Sequence, residues 1–297
     1  MRSLLADGQS VRGLVRGRVP WLQVPQLDCD LCTIDHGELA DACAGADAIV
    51  HLAGEDEVLA ARDPSAALRS TVVATERVAE AARIAGVRRL VYLSTVHVYG
   101  ARMTPGMTLT EDLRPEPRSA YAISRLACEH VAAGLAVDAY DLVVLRVTNS
   151  VGAPVHPRVD RWSLVTNDLA RQGAVAGRLA LQSAGTQWRD FVALDDVCAA
   201  IMAACRIDGA VVAPGTYNFG SGSPATVLSM AHSVQDAFEQ RTGRRPALDA
   251  PPPPPDSPDP YRVSIDRITG AGVRPAMSLP DAVSETVGFC LDHRGEL

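Results

Sequence analysis

The chain has 297 residues, enough to bury an extensive core as one large domain or two modest ones. Hydrophobic residues make up 47% and charged residues 21%, which excludes a disordered chain; aromatics are only 4%, so the apolar part rests on Ala, Val and Leu. The net charge of −7 offers no basic footprint for nucleic acid or an anionic membrane surface. Seven cysteines, an odd number without framework spacing, fit a reduced, cytoplasmic protein. Cys29 and Cys32 form a CxxC, but no second pair lies at a metal-binding distance, so no metal is expected. The opening residues carry no signal-peptide core, and the longest uncharged stretch, 209–235, is broken by Gly, Pro, Ser and Asn and cannot span a bilayer.

In chain order, residues 11–15, 47–53, 89–94 and 142–147 are short apolar, β-branched runs, each followed by polar or glycine-bearing residues. Between them, 64–85 reads as a helix that starts at Asp63-Pro64, an N-cap followed by proline at the first helical position, and stops at Gly86. Residues 119–136 carry Ile123, Leu126, Ala127 and Val131 at helical spacing. This alternation predicts βαβ units and an α/β fold with a doubly wound, Rossmann-like parallel sheet. Beyond Val147 the rhythm loosens. A helix over 162–172 precedes a strand near 179–181; helices follow over 195–206, with two acids in its first turn, and over 226–241. Pro251 to Pro255 must be a surface loop, and a helix over 281–291 closes the chain. The expected organisation is a dinucleotide-binding domain over 1–150, to which 185–207 returns, and a smaller mixed lobe over 151–297.

The sharpest local signal is Tyr121-Ala-Ile-Ser-Arg125 near the start of a helix. Residues four apart share one helix face, so the cation can favour the phenolate and make the phenol a usable acid/base. An ordinary solvent-facing pair has the same spacing. What distinguishes the two is Ser94-Thr95 at the carboxyl end of the preceding strand, where open α/β sheets bind ligands.

The runs VRRLVYLSTVHVYG (87–100), YAISRLACE (121–129), LRVTNSVGA (145–153) and WRDFVALDDV (188–197), in this order, resemble the extended short-chain dehydrogenase/reductase family. Within it they are most similar to the NAD-dependent epimerase/dehydratase group that modifies nucleotide-sugars. ADAIVHLAG (46–54) and YNFGSG (217–222) fit the same order, so the resemblance spans almost the whole chain. It implies hydride transfer at a carbinol carbon with a nicotinamide cofactor. By position, Tyr121 is the implied acid/base, Thr95 the hydroxyl that bonds the reacting sugar oxygen, and Arg125 the cation that holds the nicotinamide ribose and tunes Tyr121. Asn149 and Arg189 match substrate diphosphate contacts; Val147 and Thr148 match the nicotinamide pocket. Asp30 and Leu31 match residues beside the adenine, and Leu52, Ala53 and Gly54 the run along the cofactor.

Cofactor preference has its own argument. An acid at the end of the second strand suits a ribose 2′-hydroxyl, and a nearby arginine a 2′-phosphate. Here the strand ends Val15-Arg16, which predicts NADP over NAD, although Arg12, Arg16 and Arg18 also read as a solvated basic edge. His97 follows the same strand as Thr95 and can face the substrate or serve as packing. Glu55, Asp56 and Glu57 read as a solvated loop, and His51 as a satisfied core residue.

Three departures from the family pattern bear on activity. Arg125 replaces the family's lysine, and its planar fork cannot relay a proton as an ammonium can. In the stretch PPDSPD, Asp259 matches the family's aspartate, but Asp256 stands where an arginine would contact phosphate, so that contact is lost unless Arg262 supplies it. Thr71, where relatives carry asparagine, is a milder change. Finally, the chain opens with LLADGQSVRGLVR, which reads as the end of a first helix running into the second strand, without the GxxGxxG turn that receives a pyrophosphate. In strand order 3-2-1-4-5-6 the missing strand is central, so strands 2 and 3 are expected to lack a neighbour. Either the start lies about twenty residues upstream, or the chain is a truncated, inactive relative.

The leading expectation is an NADP-dependent 4-epimerase or 4-ketoreductase acting on a nucleotide-linked sugar. Thr95-Val96-His97, where 4,6-dehydratases carry Thr-Asp-Glu, disfavours dehydration. The alternatives are a catalytically impaired dinucleotide- or sugar-binding relative, and a reductase of a small ketone or alcohol without a nucleotide. The Ala-rich helices from Pro64 and Ser119 are apolar on more than one face, and the resemblance implies that they form a homodimer interface.

Overall fold

The computed structural model describes residues 1–207, 209–255 and 259–297; Asp256, on which one sequence expectation rests, lies outside them. The central sheet is parallel and runs in the order β10 (Gly215–Phe219), β6 (Asp141–Val147), β4 (Arg89–Thr95), β3 (Ala48–His51). A strand covered on both faces needs apolar residues on both. That explains the continuous runs Leu90-Val91-Tyr92 and Val143-Val144-Leu145, all buried. In the β4–β6 register Ser94 lies opposite Arg146 and Thr95 opposite Val147, so the two carboxyl ends finish side by side.

Helices cover both faces. On one lie α4 (Pro64–Ile84), capped by Asp63 through Ala66 N, and α5 (Ala120–Ala136), capped by Ser119 through Ala122 N. On the other lies α7 (Leu194–Cys205), packed on β3, β4 and β6, with the short α1 (Arg2–Ala6) against it. The last carbonyls of a helix need donors. For α7 a buried arginine of the sheet supplies one: Arg89 Nη1 donates to Ala204 O at 3.1 Å and to Val212 O at 3.2 Å, and its Nη2 pairs with Asp141.

Before β3 come β1 (Gly13–Val15) and β2 (Gln26–Asp28), which pair in parallel as a sheet of their own. Among the described residues neither shares a backbone ladder with β3, as the strand-order argument anticipates. Side chains from α2 (His36–Cys43) and α4 close the core beneath them. Short α3 (Glu57–Arg62) follows β3, capped by Asp56.

The second half is built on β7 (Asn149–Val151), β9 (Trp188–Ala193) and β11 (Pro224–Thr226), with the parallel pair β8 (Arg178–Ala180) and β12 (Ala247–Asp249) beside it. Around them α6 (Val165–Ala176), α8 (Val227–Thr242) and α10 (Leu279–Asp292) bury Leu169, Phe191, Met230, Phe238, Val283 and Val287. A third parallel pair joins β5 (Thr108–Leu109) to β13 (Arg262–Val263), and short α9 (Asp266–Gly270) follows. Among the described residues no helix is long and apolar enough to cross a membrane.

Two expectations shift. The helix expected over 162–172 runs Val165–Ala176, because Leu164 offers no capping side chain and Gly177 sets the stop. In α5 the predicted apolar stripe is not the buried face: Ile123 is 43% exposed, whereas Ser124, Arg125, Cys128 and Glu129 are buried. Polar residues face inward there because the neighbouring strand ends carry groups that pair with them.

Candidate functional site

Two features meet at the carboxyl ends of the strands. The first is a cleft of about 260 Å³ between the β1–β2 pair and the end of β3. Its walls are Leu14, Val15 and Arg16 from β1, Cys29 to Cys32 after β2, Ala53 to Glu55 after β3, and Ser70 and Ala74 of α4. Five expected cofactor contacts, Arg16, Asp30, Leu31, Ala53 and Gly54, thus converge on one cleft. Leu52 does not line it and is 55% exposed, because it is the residue at which the chain leaves β3. Thr71 is fully buried, and its hydroxyl accepts Glu55 N–H at 3.1 Å. Arg16 is exposed and reaches Glu55 at 3.8 Å across the mouth of the cleft; Glu55 also accepts Ser70 Oγ at 3.2 Å. An exposed pair of this kind contributes little, so Arg16 stays available to an anion.

The second feature is the Tyr121–Arg125 pair. Arg125 is 8% exposed and its Cζ lies 5.2 Å from the Tyr121 ring centroid. Its fork reaches the backbone after β3: Nη1 faces Ala53 O at 3.5 Å and Nη2 donates to Glu55 O at 3.2 Å. Burial opposes its charge, but Tyr121, Tyr92 and Cys128 outweigh that and hold its pKa above the ordinary value. Gly54 lies directly against it. With φ of +148° and an ideal Cβ only 2.7 Å from Arg125 Nη1, only glycine fits at this point of the cleft wall. The residues present fit a nicotinamide dinucleotide in three respects: apolar walls for a flat base, a cationic edge at Arg16, and the Tyr121–Arg125 pair at the far end. A glycine cradle for the pyrophosphate is not among these lining residues.

Around the pair, Thr95 is buried and its hydroxyl oxygen accepts His97 N–H at 3.2 Å, leaving its own hydrogen to donate. The His97 ring meets the Tyr121 ring edge-on at 6.5 Å. Burial and the nearby Arg189 push its pKa down, so the imidazole is neutral at neutral pH. His51 is fully satisfied inside the protein, sharing a hydrogen bond with Thr75 at 3.0 Å, and burial pushes its pKa down to about 4.

The remaining expected residues sit on the β7–β9 side. Val147 and Thr148 are buried, and Thr148 Oγ1 donates to Asp190 Oδ1 at 2.9 Å. Asn149 is half-buried and its amide donates to Asp190 O at 2.9 Å. Arg189 is half-buried, with Nη1 donating to Trp188 O at 2.8 Å. Asp259 is exposed in the approach to β13. Arg262, expected to supply a phosphate contact, faces solvent on β13, since strand residues alternate; it is the buried Tyr261 beside it that lies next to Arg189.

Three functional neighbours escaped the sequence reading. Tyr261 had no motif around it. Asp190, inside the RDF run, is a buried hub: burial raises its pKa to about 6 against hydrogen bonds from Ser221 and Thr148. Glu129 and Arg146 form a buried pair at 2.7 Å directly behind the strand ends, and the periodicity of Glu129 in α5 was the available signal.

A doubly wound parallel sheet with these groups at its carboxyl edge defines the class, an α/β enzyme that works with a nicotinamide dinucleotide. The chain belongs to the NAD dependent epimerase/dehydratase family, whose model matches residues 1–220. It is 29% identical over 199 residues to the GDP-6-deoxy-D-mannose reductase of Pseudomonas aeruginosa, a match spanning 64% of this chain and 62% of that relative. It is 28% identical to the dTDP-glucose 4,6-dehydratase of Streptomyces niveus, over 89% of this chain and 75% of the relative. The fold superimposes on the UDP-glucose 4-epimerase of Thermus thermophilus in complex with NAD with a TM-score of 0.80 at 25% identity, covering 100% of this chain and 94% of the other. These relatives include reductase, dehydratase and epimerase activities.

Proposed function

We propose that the chain moves a hydride at a carbinol or keto carbon of a nucleotide-linked sugar, using NADP(H), as a 4-epimerase or 4-ketoreductase. The observation that carries this reading is Tyr121 with Arg125 buried against it, beside Thr95 at the end of β4. The bound dinucleotide supplies or accepts the hydride. Tyr121 gives or takes the hydroxyl proton, and Thr95 donates its free hydrogen to the same oxygen. Arg125 keeps a fixed positive charge near the phenol, favouring the phenolate. Arg189 and Asn149 meet the diphosphate, with Tyr261 beside them in place of Arg262, and Asp259 lies at the outer rim. His97 lines the sugar side.

Arg16 at the cleft mouth favours NADP over NAD. Val96 and His97 after Thr95, where an acid pair would serve elimination, favour epimerisation or reduction over 4,6-dehydration. In this reading residues 1–150, rejoined by 185–207, hold the dinucleotide and 151–297 form mainly the substrate lobe. The protein is cytoplasmic, binds neither nucleic acid nor membrane, and pairs as a homodimer through α4 and α5, where Val73 is 38% and Ile123 43% exposed. Incubation with UDP-, dTDP- and GDP-linked hexoses tests it. A ketoreductase consumes NADPH in step with product, whereas an epimerase interconverts the sugars with no net consumption. A chain that binds the dinucleotide and turns over none of them contradicts the reading.

A further inference from the structure

Behind the site a line of buried polar side chains runs across the sheet. Ser94 donates to Glu129 Oε1 at 2.5 Å, and Glu129 grips Arg146 through Nε at 3.1 Å and Nη2 at 2.7 Å. Arg146 Nη1 donates to Tyr99 Oη at 3.0 Å, and Tyr99 Oη donates to Asn218 Oδ1 at 2.7 Å. The Asn218 amide then spends both hydrogens on two different segments, Leu109 O and Ser264 O, each at 3.2 Å. Asn218 N donates to Glu111 Oε1 at 2.8 Å. All five residues from Ser94 to Asn218 are buried. The line starts one turn beyond Arg125 on α5 and ends on the two strands, β5 and β13, that hold Tyr261 against Arg189.

Such a network is worth more than a set of separate pairs, because each member fixes the orientation of the next. Tyr99 occupies the decisive link. Its hydroxyl is the donor to Asn218 Oδ1, and that bond keeps the two amide hydrogens aimed at Leu109 and Ser264. The ladder those carbonyls support consists of Arg262 N to Met107 O at 2.8 Å and Ser264 N to Leu109 O at 3.0 Å.

We propose that Tyr99 is a positioning residue: through Asn218 it locks the β5–β13 pair to the frame that carries Tyr121 and Thr95, and so sets the affinity for the nucleoside diphosphate part of the substrate without touching it. This rests on the assignment of Arg189 to the substrate phosphates. It separates the two ligands, since the dinucleotide cleft is lined by β1, β2, β3 and α4 and shares no element with β5 or β13.

The test compares Tyr99→Phe with Tyr140→Phe, a second buried phenol whose hydroxyl donates to Ala132 O at 3.0 Å and has no part in this line. Each variant loses one buried hydroxyl, so both lose stability. Tyr99→Phe alone is expected to weaken binding of UDP, dTDP or GDP by about two- to tenfold, the equivalent of one hydrogen bond, with NADPH binding unchanged. In amide hydrogen exchange the Arg262 and Ser264 amides lose protection in Tyr99→Phe while the β4 and β6 amides keep it. Equal weakening of both ligands, or Arg262 and Ser264 amides as protected in Tyr99→Phe as in Tyr140→Phe, overturns the proposal. If the wild-type chain binds none of the three nucleoside diphosphates, the substrate assignment falls, and the amide exchange alone decides whether Tyr99 locks the pair.

Discussion

Gly54→Ala is the change with the most determinate outcome. The backbone there has φ of +148°, and the new Cβ would stand 2.7 Å from Arg125 Nη1 and 2.9 Å from Thr71 Cγ2. Neither neighbour can retreat. Thr71 is fully buried and holds Glu55 N, and Arg125 is held by Ala53 O, Glu55 O and the Tyr121 ring. Backbone strain at such a φ costs about 1–3 kcal/mol, and overpacking in a filled site about as much again. The expected loss is therefore about 2–4 kcal/mol, or roughly 4–16 °C in Tm at about 2–4 °C per kcal/mol. Because Arg125 is one of the two groups struck, Arg125→Lys in the same chain, with a thinner end group, should restore part of the loss. The double variant is then more stable than the sum of the single changes by about 0.5–3 kcal/mol. Thermal unfolding of the four chains completes the cycle, with NADPH titration alongside. A loss below about 0.5 kcal/mol, the range of an ordinary surface substitution, refutes the packing argument. Strict additivity refutes the role given to Arg125.

Two further predictions concern charge. Arg16→Ala should weaken NADP(H) binding roughly tenfold, the loss of one exposed charge-assisted hydrogen bond, and leave NAD(H) within a factor of two; equal weakening of both removes the NADP assignment. The second concerns pH. Asp190 has a folded-state pKa of about 6, above the ordinary carboxylate value of 3.8, so its contribution to stability is complete below pH 3.8 and is lost as pH rises through 6. His51 runs the other way. Its folded-state pKa of about 4 lies below the usual 6.5, so its contribution is complete above pH 6.5 and is lost as pH falls through 4. Each amounts to about 3 kcal/mol, so the two slopes oppose each other between pH 4 and 6. Asp190→Asn removes one of them, and the variant should lose stability on acidification from pH 6.5 to 4 more steeply than the wild type in urea unfolding. Identical profiles would contradict the burial assigned to Asp190.

Much of the first half was legible because its signals are local. Asp63-Pro64 and Ser119 mark helix starts by side-chain capping, and the β4 and β6 runs are uniformly apolar because both faces are covered. The separation of β1–β2 from β3 also followed, since strand order decides which strands can be neighbours. What stayed hidden depends on tertiary partners. The inward face of α5 carries Arg125 and Glu129, whose burial makes sense only once Ala53, Glu55 and Arg146 are known to lie opposite. The convergence of Arg16 and Gly54 on one cleft was implied by the family resemblance, whereas the contact of Gly54 with Arg125 was not readable from either residue. Arg262 looked like the natural phosphate ligand by charge. The strand's alternation turns it outward and brings in Tyr261, a residue whose role no sequence pattern announced.

The central claim is proton transfer by Tyr121 coupled to hydride transfer, and it is tested most directly by one measurement on the wild type and Tyr121→Phe. Each chain is mixed with NADPH or NADP and a panel of UDP-, dTDP- and GDP-linked sugars or their 4-keto forms, and the absorbance of the reduced nicotinamide is followed through a single turnover. The account predicts a transient or net change in the wild type, and in Tyr121→Phe the same dinucleotide affinity with a rate lower by about 10²- to 10⁴-fold, the usual share of a positioned acid/base. Equal rates in the two chains, or dinucleotide binding without any change in the wild type, would contradict it.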